Sequence, residues 1–223
     1  MGTAASGASV SVGLFLAGSL PSPLDPIPAP LTRRYSEPMD GLVIFAACDG
    51  PVRARDGTIA CPTARHVVEL LRRFAVPVVF ISDQAPAEMV HLQHELGLLH
   101  PFIAAGGSHL YVPRGYFPDV LDTEPDEEPD WQVLRLHARG GDVGDAVRLL
   151  MALYRFGDDP VLFVGLGEDW KHRVLLSAVD VPVIVRNDDI DQMRLLRSVP
   201  DAYLTTAAGT AGWTEAILGS AAD

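Results

Sequence analysis

Short apolar runs, each ending in a turn signal, are the feature that most narrows the folds open to this chain. Leu42, Val43, Ile44 and Phe45 lead into Asp49-Gly50. A continuous apolar run of this length, bounded by a turn, reads as a strand buried on both faces of a parallel sheet. The pattern recurs at Val76–Ile81, which ends at Ser82, at Val161–Val164 before Gly165-Leu166-Gly167, and at Val181–Val185. Helical text lies between the runs. Pro62 opens one helix, in which Ala64, Val67, Val68 and Leu71 fall on a single face. Pro86 opens a second, with Gly97 as its C′ residue, and Asp142 can cap a third that runs to about Tyr154. This alternation predicts an α/β fold: a doubly wound parallel sheet with helices on both faces. In such sheets ligands bind just beyond the carboxyl ends of the strands. The chemistry should therefore sit at residues 46–51 and at the corresponding strand ends.

The remaining text is less regular. Phe102–Ala104 reads as a short third strand ending at Gly106-Gly107, Ser108–Val112 as the first arm of a hairpin, and Trp131–His137 as another strand. Residues 119–130 are acidic and proline-containing, which reads as a solvated loop. A helix is expected from about Trp170 and a last one over Trp213–Leu218. No internal repeat is visible. Residues 1–40 read as a disordered Ala/Gly/Ser tail followed by a stiff spacer with Pro21, Pro23, Pro26, Pro28 and Pro30. Val10–Leu20 is mildly apolar, but no basic residue precedes it, so it does not read as a signal peptide and is too short to span a bilayer. Met1-Gly2 with Ser6 formally fits a myristoylation pattern, which small residues satisfy easily.

Composition excludes some partners. A net charge of -12 disfavours nucleic acid and anionic membrane surfaces, both of which select basic patches. Two cysteines, Cys48 and Cys61, form neither a disulfide framework nor a zinc set, so a reducing cytoplasm is expected. At 223 residues the chain can bury a substantial core.

The strand ends resemble those of the haloacid-dehalogenase-like phosphatases, whose first strand carries hhhhDxDGT. On that pattern Asp49 and Gly50 of GLVIFAACDGP match the second Asp and the Gly, the nucleophilic Asp falls on Ala47, and the Thr falls on Pro51. Ser82 stands where the family places a Ser or Thr that holds phosphoryl oxygens. The Lys of the family's DKGxAV segment falls on Val143 of GDVGDAV. The GDSxND segment corresponds to GEDWKH, so that Glu168, Asp169, Lys171 and His172 replace its acid, Ser, Asn and last Asp. Within the superfamily the text resembles the mannosyl-3-phosphoglycerate phosphatases. HELGLLHPFIAAGGSHLYVPRGYF, residues 94–117, is similar to that family's run in the same place, and GWTEAIL near the C-terminus is similar as well. The long cap of that family has no counterpart of its size here. A reduced cap is expected over about residues 108–138.

The resemblance implies covalent catalysis through an aspartyl-phosphate, with Mg2+ held by the nucleophile, a backbone carbonyl and an acid of the fourth segment. With Ala47, Val143 and Glu168 in the key places, Mg2+ binding is expected to be weakened or lost. One expectation is a pseudoenzyme that binds a small phosphorylated metabolite or a partner protein. It would retain Asp49 at the general-acid position and Ser82, Gly50, Gly106 and Gly107 as phosphate-binding positions. The competing expectation is an active Mg2+-dependent phosphatase of a sugar phosphate, with Asp49, Glu168 and Asp169 as metal ligands. Asp49 does not serve as nucleophile, because Pro51 occupies its +2 position. Cys48 lacks the Cys-x5-Arg spacing of a phosphate loop, since the arginines stand at 53 and 55. Three weaker patterns are read blandly. GLGEDW has Trp170 where a dinucleotide loop needs its third Gly. His91 and His94 share a solvated helix face. Gly107-Ser108-His109 lacks the second Gly of a nucleophile elbow.

Overall fold

The computed structural model describes residues 41–53, 59, 61–117, 131–136, 142–156 and 160–218. The N-terminal 40 residues and the acidic segment 119–130 lie outside the described residues. The order is β1 (Gly41–Ala47), α1 (Pro62–Arg73), β2 (Val78–Ile81), α2 (Pro86–Leu96), β3 (Phe102–Ala104), β4 (His109–Pro113), β5 (Trp131–Arg135), α3 (Val143–Tyr154), β6 (Val161–Gly167), α4 (Arg173–Leu176), β7 (Val181–Arg186), α5 (Met193–Ser198), β8 (Tyr203–Ala208) and α6 (Gly209–Leu218). The strands form one sheet in the order β5-β4-β3-β2-β1-β6-β7-β8. Pairing is parallel from β3 through β8, and β4 and β5 continue the sheet antiparallel.

Side-chain alternation along β1 divides the core. Ile44, Ala46 and Cys48 point to one face and pack with α1, α2 and α6, through Val67, Val68, Met89, Leu92 and Trp213. Val43 and Phe45 point to the other face, against Val147 and Leu150 of α3 and Leu175 of α4. Both faces of β1 are thus buried, which is why its text is a continuous apolar run. α1 buries Ala64, Val67, Val68 and Leu71, the face expected from the sequence. α3 starts at a capping box formed by Asp142 and Asp145. Gly97 ends α2 in the left-handed conformation, at φ +63°.

β1 lies in the middle, and the chain leaves it in both directions, to β2 on one side and β6 on the other. That reversal leaves a crevice at the carboxyl ends of β1, β2 and β6.

Several details differ from the sequence reading. α5 and β8 carry no continuous apolar run: Tyr203, Leu204 and Thr206 of the edge strand β8 are exposed. An edge strand has one partner and needs less apolar text. α6 begins at Gly209, four residues before Trp213. The helix expected from Trp170 is a 3-10 turn over Trp170–His172 followed by the single turn of α4. The hairpin arms expected in the cap region, β4 and β5, are built into the main sheet.

Candidate functional site

β1 delivers its last residues into the crevice. Ala47 is its final residue and is buried, so a methyl group stands at that strand end. Cys48 follows and is fully enclosed. Burial, with Asp49 beside it, pushes its thiol far above the ordinary range. A thiol so held is not a nucleophile, consistent with its place among apolar neighbours. The chain then turns tightly: Gly50 N–H donates to the Arg53 carbonyl at 2.7 Å and Arg53 N–H to the Cys48 carbonyl at 2.9 Å. Gly50 adopts φ +105°, and a β-carbon there would stand 3.1 Å from Glu168 Oε1. The glycine thus serves both the turn and the approach of that carboxylate.

Asp49 and Ser82 face each other across the crevice. The Ser82 hydroxyl, buried at 3% exposure, reaches Asp49 Oδ2 at 2.8 Å and Oδ1 at 2.9 Å. The Asp83 backbone N–H donates to Asp49 Oδ2 at 3.2 Å, and the Gln84 N–H donates to Ser82 Oγ at 3.0 Å. The expected phosphate ligand Ser82 is here engaged by the expected general acid.

The loop after β6 is locked from below. His172 Nδ1 accepts from the backbone N–H groups of Glu168 and Asp169, at 3.1 and 3.2 Å. This requires an unprotonated Nδ1, and burial, with the Lys171 charge adding, lowers the imidazole pKa to about 4. Asp169 is spent on structure: its carboxylate caps the 3-10 turn by accepting from the Trp170 N–H. Gln192 ties this loop to the end of β7, donating to the carbonyls of Glu168 at 2.6 Å and Val185 at 2.8 Å. Glu168 is raised in pKa by burial, with the Asp169 and Asp49 charges adding, against an Asn187 hydrogen bond and Lys171.

Two cavities open here. The larger, about 640 Å3, lies over the ends of β1, β6, β7 and β8 and is walled by Asp49, Arg53, Glu168, Asp188, Asp189 and Thr210, among others. The smaller, about 190 Å3, lies between the tips of β2 and β6, with Ser82, Asp83, Gly106, Val143 and Lys171 in its wall. Of the expected phosphate positions, Ser82 and Gly106 reach the smaller cavity and Gly50 the larger. Gly107 instead packs beneath α3, where a β-carbon would come 2.2 Å from the Val143 nitrogen.

Lys171 is the residue that motif reading passed over, as a lost Asn. Its ammonium reaches Asp83 Oδ2 at 2.5 Å, across the cavity wall that Val143 shares. Burial opposes its charge, but the Asp83 hydrogen bond and the Asp83, Asp49 and Asp169 carboxylates outweigh that and raise its pKa. Nothing in linear spacing links residue 171 to residue 83.

The Mg2+ implied by the resemblance fits this donor set poorly. Asp49 and Glu168 face one cavity, but Asp169 is committed to its cap, and Ala47 offers no side-chain oxygen. Among the described residues no three His, Cys, Asp or Glu side chains gather into a cluster of metal-ligand dimensions. Mg2+ asks for near-octahedral hard oxygen ligands. His91 and His94 are both exposed on α2.

Known structures share this architecture. A haloacid dehalogenase-like hydrolase from Bacteroides thetaiotaomicron superposes with a TM-score of 0.54 at 12% identity, over 80% of this chain and 98% of that one. A Thermoplasma acidophilum protein superposes at 0.52 and 14% identity, over 81% and 96%. The chain has the haloacid-dehalogenase-like fold. By sequence the chain is similar to mannosyl-3-phosphoglycerate phosphatases. It is 23% identical to the glucosyl-3-phosphoglycerate/mannosyl-3-phosphoglycerate phosphatase of Methanococcoides burtonii, over 79% of this chain and 96% of that protein. With the mannosyl-3-phosphoglycerate phosphatase of Pyrococcus horikoshii it shares 29% identity over 91 residues, 41% of this chain and 37% of that protein. No protein-family model matches the chain.

Proposed function

We propose that this chain is a catalytically impaired relative of the haloacid-dehalogenase-like phosphatases that binds a phosphorylated metabolite. The observation that carries the reading is the methyl group of Ala47 at the end of β1, beside a still-assembled Asp49–Ser82 pair. An aspartyl-phosphate cannot form at a methyl group, and losing the nucleophile of a catalytic unit costs orders of magnitude in rate. Binding has separate determinants: Ser82, the Gly106 turn and Lys171 border one cavity of fitting size.

A second reading, an active phosphoric monoester hydrolase with Asp49, Glu168 and Asp169 around Mg2+, draws support from Asp49 and Glu168 facing the same cavity. The capping role of Asp169 counts against it. Turnover of p-nitrophenyl phosphate and mannosyl-3-phosphoglycerate with Mg2+ separates the two. The impaired reading expects none from the wild-type chain. Metal-dependent turnover that vanishes in Asp49→Ala would overturn it. Activity gained in Ala47→Asp would mean that the rest of the site is intact.

A further inference from the structure

The smaller cavity holds one ammonium among three carboxylates, and those carboxylates are not equivalent. Asp49 accepts from the Ser82 hydroxyl and the Asp83 N–H. Asp142 caps α3 by accepting from the Asp145 N–H at 3.1 Å. Asp83 instead reaches over the cavity to Lys171 Nζ at 2.5 Å. Val143, the apolar residue where the resemblance expects a Lys, belongs to the same wall. Lys171 therefore brings a positive charge to this space from the loop after β6 rather than from the start of α3.

We propose that Lys171 is the anion-recognising residue of this chain, taking a phosphate or phosphomonoester group, and that Asp83 is its built-in competitor. The inference rests on the reading of the chain as a phosphate-binding relative and adds the residue and its control. A carboxylate presents an ammonium with the same kind of charged oxygen acceptor as a phosphate does. Lysine is a point charge on a flexible stem and can exchange one such partner for another, where a bidentate arginine would hold its geometry. The cavity of about 190 Å3 has room for roughly six waters, and so for a tetrahedral phosphate beside Ser82 and Gly106. A bound anion must displace Asp83 from the ammonium and tolerate its negative charge nearby. Asp83 thus sets the threshold for binding.

The test is calorimetric titration of the full chain with inorganic phosphate, at constant ionic strength with chloride as the balancing anion. Wild type is compared with Asp83→Asn, Lys171→Met and Lys171→Arg. The side chains of Lys171 and Asp83 are 45% and 57% exposed, so all three variants should fold, and a thermal melt verifies this. Asp83→Asn should bind phosphate roughly three- to tenfold more tightly, the range expected when a partly exposed ion pair and one repelling charge are removed. Lys171→Met should weaken binding at least about tenfold, and Lys171→Arg should recover only part of it, because a bidentate pair with Asp83 is harder for phosphate to open. Phosphate binding that Asp83→Asn leaves unchanged or weakens would overturn the competitor and leave the anion site standing. Binding that Lys171→Met leaves unchanged would overturn the role of Lys171. No binding by any variant would overturn both this inference and the phosphate-binding reading beneath it.

Discussion

Gly107 has φ +96°, and a β-carbon on it would stand 2.2 Å from the Val143 nitrogen and 2.6 Å from the Asp142 carbonyl carbon. Both obstacles are backbone, at the start of α3, and cannot swing away. Gly107→Ala is expected to cost about 2–4 kcal/mol of stability, from strain and overpacking together. Gly97 is the internal control: its φ is +63° but nothing lies within 4 Å of its missing β-carbon, so Gly97→Ala should cost only about 1 kcal/mol. Urea denaturation of the two variants checks the difference, and equal losses would mean that the close approach to α3 does not matter. The same single-residue logic governs the site. There, Ala47 leaves a methyl group at the strand end where the resemblance places a carboxylate, and Val143 an isopropyl group where it places an ammonium.

Among the elements, β8 and α6 form a unit that depends on one carboxylate. Glu215 on α6 accepts from the Tyr203 hydroxyl and from the backbone N–H groups of Thr206 and Ala207, the latter two at 2.9 and 2.8 Å. These bonds clamp the last strand of the sheet onto the helix that follows it. They also occupy backbone donors that an edge strand could otherwise offer to another chain. Glu215→Ala is expected to lower stability by roughly 1–3 kcal/mol. Because Tyr203 and Leu204 are exposed on the same strand, the variant should also self-associate more readily. A thermal melt and size-exclusion chromatography test the two effects separately. A variant with unchanged melting and elution would show that the clamp contributes nothing.

For the molecule as a whole, two histidines, His172 buried and His100 half-buried, make folding sensitive to acid. His100 and His172 each have an imidazole pKa lowered from 6.5 to about 4, by burial in both and by Lys171 in the second. A base with a depressed folded pKa binds its proton more weakly in the folded state. Its contribution is full above about pH 6.5 and is lost as pH falls towards 4. Each could remove up to roughly 3 kcal/mol over that window. Glu168 works in the opposite direction, because its raised pKa favours the folded state at low pH, and it offsets part of the loss. Urea denaturation at pH 7, 5.5 and 4 should show a steep fall between the first and last, shallower in His172→Gln. A flat profile would place the histidines in a wetter setting than their burial implies.

The layered α/β architecture and its crevice are legible in the amino-acid text, because strands buried on both faces must be written as continuous apolar runs. β1, the core of β2, β6 and β7 were legible for that reason, and so was the buried face of α1. α5 and β8 were not, since an edge strand and a short helix are stabilised by neighbours rather than by their own pattern. At the site, Asp49, Ser82 and Glu168 could be found from their places at strand ends. Their partners emerge from the packing of distant loops: Asp49 with Ser82, Asp169 with its own turn, Gly107 beneath α3, and Lys171 with Asp83 from 88 residues away. Periodicity records which face of an element is buried, whereas a side-chain pairing depends on distances between loops that no local pattern encodes.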